Sequence, residues 1–96
     1  MIIEWLPDAD LDLDEIYEFI AEDDPDAADR QIGRILGQVG KLTEKVSRKG
    51  RIGRVPETME LVITKTPFIV VYRTVPGKNQ ILRVLHCSQK WPKSFE

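Results

Sequence analysis

Between Thr58 and Ser88 the chain reads TMELVITKTPFIVVYRTVPGKNQILRVLHCS, and this stretch decides the fold. Three runs rich in branched and aromatic residues, Thr58–Thr64, Pro67–Val75 and Gln80–Ser88, are separated by Lys65-Thr66 and by Pro76-Gly77-Lys78-Asn79. Such runs fit a pleated, half-buried surface, and the short polar or Pro-Gly breaks between them are turn chemistry. Three consecutive antiparallel strands are expected, with Phe68–Tyr72 as the most buried segment. Upstream, the pattern dissolves into the basic, glycine-bearing stretch Lys45–Arg54 (KVSRKGRIGR), which reads as a loop ahead of Pro56.

Further toward the N-terminus the period changes from two to between three and four. Pro7 with Asp8, Asp10 and Asp12 marks a helix start, because proline suits the first turn and carboxylates favour the positive helix end. Ala9, Leu13, Ile16, Tyr17 and Ile20 then form one apolar stripe on a helix expected to run to about Asp23. Leu11 and Phe19 lie off that stripe. Packing within the chain is the simpler expectation for both, and contact with a partner is the alternative. Asp24-Pro25 repeats the start signal, and a second helix carries Ala28, Ile32, Ile35, Val39 and Leu42 on its stripe. Gly33, Gly37 and Gly40 fall together on the opposite face, either as a smooth groove or as tolerated exposed positions. With Met1–Trp5 (MIIEW) as a first strand, the order is β-α-α-β-β-β. This is an α+β domain in which a helical hairpin covers one face of an antiparallel sheet, with residues 1–96 as a single domain.

Charge is divided along the chain. Twelve of the sixteen acidic residues lie before Arg30, where there is no basic residue, and all fourteen Lys and Arg follow with the remaining four acids. The net charge of −2 conceals this polarity. One surface should repel nucleic acid while another can meet an acidic partner, although solvated acidic helices and basic strands would look the same. The single cysteine, Cys87, cannot form an internal disulfide, and no cleavable leader pattern opens the chain. A cytoplasmic protein is expected, and no apolar run approaches the ~20 residues of a membrane span.

Candidate chemistry is sparse. One histidine and one cysteine do not make a nitrogen or sulfur metal site, the aspartates near Asp8–Asp14 lack calcium-loop spacing, and no metal or other cofactor is expected. Gly50-Arg51-Ile52-Gly53-Arg54 lacks the Lys-Ser or Lys-Thr pair of a phosphate-binding loop. His86, Cys87 and Ser88 resemble a nucleophile set in print, but consecutive strand residues alternate faces and should not converge on one atom. The same alternation sets Arg83 and His86 on opposite faces, and a hydrogen-bonded structural role is the plainer reading of His86. Arg73 and Arg83, each in an apolar strand, must reach solvent or pair with a carboxylate. The basic loop Arg48, Lys49, Arg51 and Arg54 is the best electrostatic candidate for contact with a macromolecule. The tail adds Lys90, Trp91 and Lys93, with Trp91 as an anchor.

Several stretches in order resemble the ParE/RelE family of toxins: Pro7-Asp8 with Leu13-Asp14-Glu15-Ile16, Asp24-Pro25-Asp26-Ala27-Ala28, Gly50–Val55, Glu60-Leu61-Val62-Ile63, Tyr72-Arg73, Ile81–His86, and Gln89-Lys90-Trp91-Pro92. The likeness covers nearly the whole chain. It implies a small toxin silenced by a cognate, ParD-like antitoxin whose C-terminal segment wraps it. The RelE-like branch cuts messenger RNA with clustered basic residues and often a C-terminal tyrosine. Here Phe68 or Ile69 stands where that branch has arginine, Cys87-Ser88-Gln89 replaces a basic run, and no tyrosine follows. The departures favour the ParE-like branch, some members of which inhibit DNA gyrase. On that resemblance no residue is assigned to catalysis. Target contact is expected from Arg48, Lys49, Arg51, Arg54, Lys90, Trp91 and Lys93, and antitoxin contact from Leu11, Phe19, Arg73 and Arg83. The alternatives are a ribosome-dependent endoribonuclease and a relic of the family that only binds. Neither membrane association nor sequence-specific nucleic-acid binding is expected.

Overall fold

The computed structural model describes residues 2–43 and 50–95. Its elements are β1 (Ile2–Trp5), α1 (Pro7–Ala21), α2 (Pro25–Gly40), a 3-10 turn at Lys41–Thr43, β2 (Arg51–Ile52), β3 (Met59–Val62), β4 (Phe68–Val75) and β5 (Lys78–His86). They build one five-stranded sheet in the order β1-β5-β4-β3-β2. The expected β-α-α-β-β-β succession is present with one addition, the two-residue β2, which lies in the segment read as loop and pairs Arg51 with Glu60. The sheet is antiparallel except at one edge, where β1 runs parallel to β5. The long connection through the helical hairpin and β2 to β4 allows that parallel pairing, which a tight turn could not make.

Both helix starts form where the sequence places them. Pro7 and Pro25 open α1 and α2, and the Asp24 side chain accepts a hydrogen bond from the Ala27 N–H at 3.1 Å. The α1 cap position is Leu6, which offers no side-chain acceptor. The helix ends at Ala21, two residues short of the expected end. Ala9, Ala28, Ile35 and Val39 are sealed from solvent; Ala9, Ile35 and Val39 pack with Leu61, Val70, Ile81 and Val84 from the sheet and with Ile63 just beyond β3. Tyr17 lies at the rim of the helix–helix seam instead of in the core, its hydroxyl donating to Asp29 Oδ1 at 3.1 Å. Gly33, Gly37 and Gly40 face open space.

The β4–β5 hairpin closes through Pro76-Gly77, with Gly77 at φ +80°, the positive φ that the second central position of a type II turn takes and glycine allows. Further along, the register shifts: Val71 pairs with Arg83 and Tyr72 with Ile81, leaving Leu82 as a bulged residue. The bulge resets the alternation of β5. Ile81 and Val84 both enter the helix-side core, whereas Leu82 and Leu85 join Val71 on the other face, where Leu6, Trp91 and Phe95 cover them. The sheet is therefore covered on one face by the hairpin and on the other by its own C-terminal tail.

One carboxylate ties these layers together. β1 ends at Trp5, opposite Ile81, so beyond that point the edge of β5 has no strand beside it. Asp12, 8% exposed on α1, fills the gap: its Oδ2 accepts from the Val84 backbone N–H at 2.8 Å and from Arg83 Nε at 2.7 Å, and its Oδ1 from an Arg83 terminal nitrogen at 3.0 Å. Removing one member of a buried ion pair leaves the other charge uncompensated. Asp12→Ala is expected to lower stability by about 2 to 3 kcal/mol, the exposure of Arg83 holding the cost below that of a fully buried pair. Urea unfolding would show this as a lower midpoint with an unchanged slope; a midpoint equal to wild type would remove Asp12 from this role.

Candidate functional site

Strand alternation turns Glu60 of β3 to the tail-covered face beside Val71. It is 2% exposed, and a buried carboxylate must find donors. Arg54 supplies a backbone N–H at 2.7 Å and guanidinium bonds at 3.1 and 3.2 Å, and Arg51 adds a bond at 3.1 Å. The Arg54 guanidinium carbon also stands 3.6 Å from the centroid of a Trp91 ring, so the same arginine ties β3 to the tail by cation–π contact. The glycines of this loop have a steric reason. A Cβ at Gly50 would run into the Tyr72 hydroxyl, and one at Gly53 into Thr58, whose carbonyl oxygen accepts the Gly53 N–H at 2.8 Å.

Four residues expected to contact a target, Arg51, Arg54, Trp91 and Lys93, thus gather around the face opposite the helices. Lys93 lines a recess of about 280 Å³ with Thr58, Arg73, Leu82 and Phe95. Lys90 is exposed just beyond β5. Arg48 and Lys49 lie outside the described residues. Arg51 and Arg54 are not free cations: both pair with Glu60, whose single charge offsets one of their two.

The four residues expected to meet an antitoxin separate. Arg73 is on the tail side, where its Nε donates to Gln80 Oε1 at 2.7 Å and Gln80 in turn donates to Glu4, which Lys78 also pairs at 2.9 Å. Leu11 and Phe19 do not pack into the chain; they are 57% and 77% exposed on α1. Phe19 and Arg83 share a groove of about 380 Å³, floored by Ile16, Ile20, Phe68 and Val84, which His86 and Gln89 also line. Strand parity does hold for Arg83 and His86, which pair with Val71 and Phe68 on opposite faces. The long arginine side chain bends over the bare β5 edge to Asp12, and both residues line one groove.

The alternation argument fails for Ser88. β5 ends at His86, and the turn that follows returns Ser88 Oγ to 2.7 Å from His86 Nδ1, which also accepts the Ser88 N–H at 3.1 Å. Nδ1 is therefore an acceptor and the ring proton resides on Nε2. The ring meets Phe68 edge-on at 5.6 Å, and the turn is closed by a His86 N–H bond to Gln89 Oε1 at 2.7 Å. Among the described residues no carboxylate is hydrogen-bonded to the ring, and no three His, Cys, Asp or Glu side chains are grouped to hold a metal. Nor is any described helix long and apolar enough to cross a membrane. Sequence reasoning overlooked Glu60 and Asp12, the two carboxylates that organise these surfaces. For Glu60 a signal was present: it is the lone charge in TMELVIT.

Two packed faces, each presenting held side chains to solvent, define a small α+β domain of a helical hairpin on a five-stranded sheet. The ParE toxin family model of the type II toxin–antitoxin system parDE matches residues 3–91. The chain belongs to that family and is the toxin component of such a system. It is 43% identical over 91 residues to a protein of Sinorhizobium fredii (strain NBRC 101917 / NGR234) described as "Putative toxin Y4kP", covering 95% of this chain and 93% of that one. A solved structure described as the chromosomal ParDE TA system from P. aeruginosa superposes with a TM-score of 0.79 at 30% identity, over 90% of this chain and 95% of that chain.

Burial pushes the Glu60 pKa up, but the Arg54 side chain, the Arg54 backbone and the Arg51 side chain together outweigh it and hold the group below the ordinary carboxylate range. A depressed folded pKa contributes stability above the unfolded value, about 4.3, and that contribution is lost as pH falls through the folded value. The stability gap between wild type and Glu60→Gln should accordingly shrink as pH falls from about 6 to about 3. Urea unfolding at several pH values would measure it, and a gap independent of pH would contradict the assignment.

Proposed function

We propose that this toxin acts by binding a bacterial target, in the manner of a DNA gyrase inhibitor, through the tail-covered sheet face, and that a ParD-like antitoxin neutralises it. The observation that carries this reading is the assembly of Arg51, Arg54 and Trp91 around buried Glu60: two guanidinium groups and an indole held in place beside the basic tail. Arginine and tryptophan dominate the energetics of protein interfaces, most of all where their geometry is set before binding. Lys93 and Arg73 flank the cluster, and Lys90 adds a cation at the tail's start. A cytoplasmic location belongs to the same reading and is supported by lone, exposed Cys87.

The endoribonuclease reading has one observation in its favour, the Ser88–His86 contact at 2.7 Å. RNA cleavage through the 2′-hydroxyl needs a base, cations for the crowded phosphate and a donor to the leaving oxygen. The His86 ring meets Phe68 and Ser88, Gln89 is bonded to the His86 backbone N–H, and Arg83 is committed to Asp12. Such a set supplies the chemistry poorly.

Induction in a bacterial host, with DNA supercoiling, double-strand breaks and messenger integrity followed together, separates the two. On the binding reading, His86→Gln remains toxic while messenger stays intact. Trp91→Ala and Lys93→Ala weaken target contact, by about 30-fold for the tryptophan if it is a hot spot worth about 2 kcal/mol. Urea unfolding of each variant serves as the folding control. Loss of toxicity in folded His86→Gln, with wild type cutting messenger, would replace the binding mechanism with the nuclease.

A further inference from the structure

The turn that follows β5 holds a reactive pair that target contact does not use. We propose that Ser88 is a nucleophile activated by His86, and that its hydroxyl oxygen accepts the acyl group of an activated ester or thioester, leaving the chain acylated at that serine.

Three observations set this chemistry. The hydroxyl lies within reach of a base: Ser88 Oγ is 2.7 Å from His86 Nδ1, and a base at hydrogen-bond distance is what turns a serine into a nucleophile. The ring is also held in the tautomer that can act. Nδ1 accepts the Ser88 backbone N–H at 3.1 Å, so its lone pair faces the serine and the ring proton stays on Nε2. Third, the pair is fixed before any reagent arrives. Phe68 meets the imidazole edge-on at 5.6 Å, and the His86 N–H donates to Gln89 Oε1 at 2.7 Å. The Gln89 N–H returns to the His86 carbonyl at 3.1 Å, and the Cys87 N–H donates to the Pro67 carbonyl at 2.8 Å. Geometry set in advance removes much of the entropy cost of bringing base and nucleophile together. Ser88 itself is exposed and open to a small reagent.

The same bonds restrict the reagent. Every backbone N–H from His86 to Gln89 is already committed, so the turn offers no pair of amides to a developing oxyanion. Unactivated amides, which need that help, fall outside its range. In the step itself Ser88 Oγ bonds to the acyl carbon while its proton passes to Nδ1. A protonated Nδ1 then faces the Ser88 N–H, donor against donor, so the proton moves on to the departing oxygen or sulfur as its bond to the acyl carbon breaks. The products are an ester on Ser88 and a free alcohol or thiol. Among the described residues no carboxylate is hydrogen-bonded to His86 to steady an imidazolium, so attack of water on the unactivated serine ester is slow. The acyl group therefore stays on, and the chain is an acceptor modified once, not a turnover catalyst.

Incubation of the full chain with p-nitrophenyl acetate tests this, with p-nitrophenolate release and peptide mass mapping as the two readouts. Wild type should give a single burst of about one equivalent per chain, and the acetyl group should map to Ser88. Ser88→Ala should lose the burst. His86→Asn keeps an acceptor near the Nδ1 position but no base, and should slow acetylation of Ser88 by about 100-fold or more. His86→Gln should do the same. Urea midpoints show whether each variant is folded, and should one unfold, the other carries the comparison. Cys87→Ala, which removes the exposed neighbouring thiol, should react at Ser88 as wild type does. Acetyl found at Cys87, at lysines or at the N-terminus and not at Ser88 overturns the proposal, as does a folded His86 variant acetylated at the wild-type rate. Steady release beyond the burst overturns the acceptor and makes the pair a hydrolase.

Discussion

A carboxylate placed where a sheet edge runs out of partners governs this molecule. β1 covers β5 only as far as Ile81, and the next outward amide, that of Val84, is satisfied by Asp12. An unpaired backbone donor at that depth would cost roughly 1 to 3 kcal/mol, and an unpaired guanidinium beside it more. Asp12 meets both with one group. The position of α1 against the sheet follows from this contact, since a helix one residue out of phase would carry the carboxylate away from the strand edge. From that phase follow the burial of Ala9 one turn earlier and the outward turn of Leu11, Glu15 and Phe19.

The bulge at Leu82 is the second constraint, and it acts through β5 on both cores. A regular strand would send Ile81 and Leu85 to the same face; with one extra residue, Ile81 and Val84 serve the helices while Leu82 and Leu85 serve the tail. Each fully buried aliphatic side chain contributes about 1.5 to 3 kcal/mol. A domain of this size has little to spare. The tail residues Trp91 and Phe95 thus belong to a core that the strand order alone would leave open to water.

Much of the fold was legible because it depended on local chemistry. Proline and aspartate at both helix starts, stripes at helical spacing, and branched runs broken by Pro76-Gly77 each carry their own physical cause, and each appears in the structure. What stayed hidden depended on partners remote in sequence. The parallel pairing of β1 with β5 joins residues more than seventy apart, as does Asp12 with Arg83. Arg51 and Arg54 looked like free cations because Glu60 reaches them only once β2 and β3 pair. Ser88 looked misdirected because parity was extended past the end of β5. Leu11 and Phe19 stood out correctly as apolar residues off the stripe, but periodicity cannot tell whether such a residue finds cover within its own chain.

The divided charge of the sequence also takes on a different meaning in three dimensions. The basic half is not uniformly basic on the surface: Glu60 pairs with Arg51 and Arg54 and offsets one of their two charges, Asp12 compensates Arg83, and Glu4 holds Lys78. Those arginines retain their planar donors and aromatic stacking but contribute less to any long-range field, whereas Lys90 and Lys93 keep their charge for solvent. Any contact made by the clamped groups would depend on geometry and resist screening, whereas the field of the tail lysines is of longer range and falls within a Debye length of about 8 Å at physiological salt. The acidic half has fewer internal partners, so α1 keeps a field of one sign beside its exposed apolar residues. A bipolar sequence becomes a domain with held arginines around a buried carboxylate on one face, and acidic side chains beside exposed apolar ones on the other.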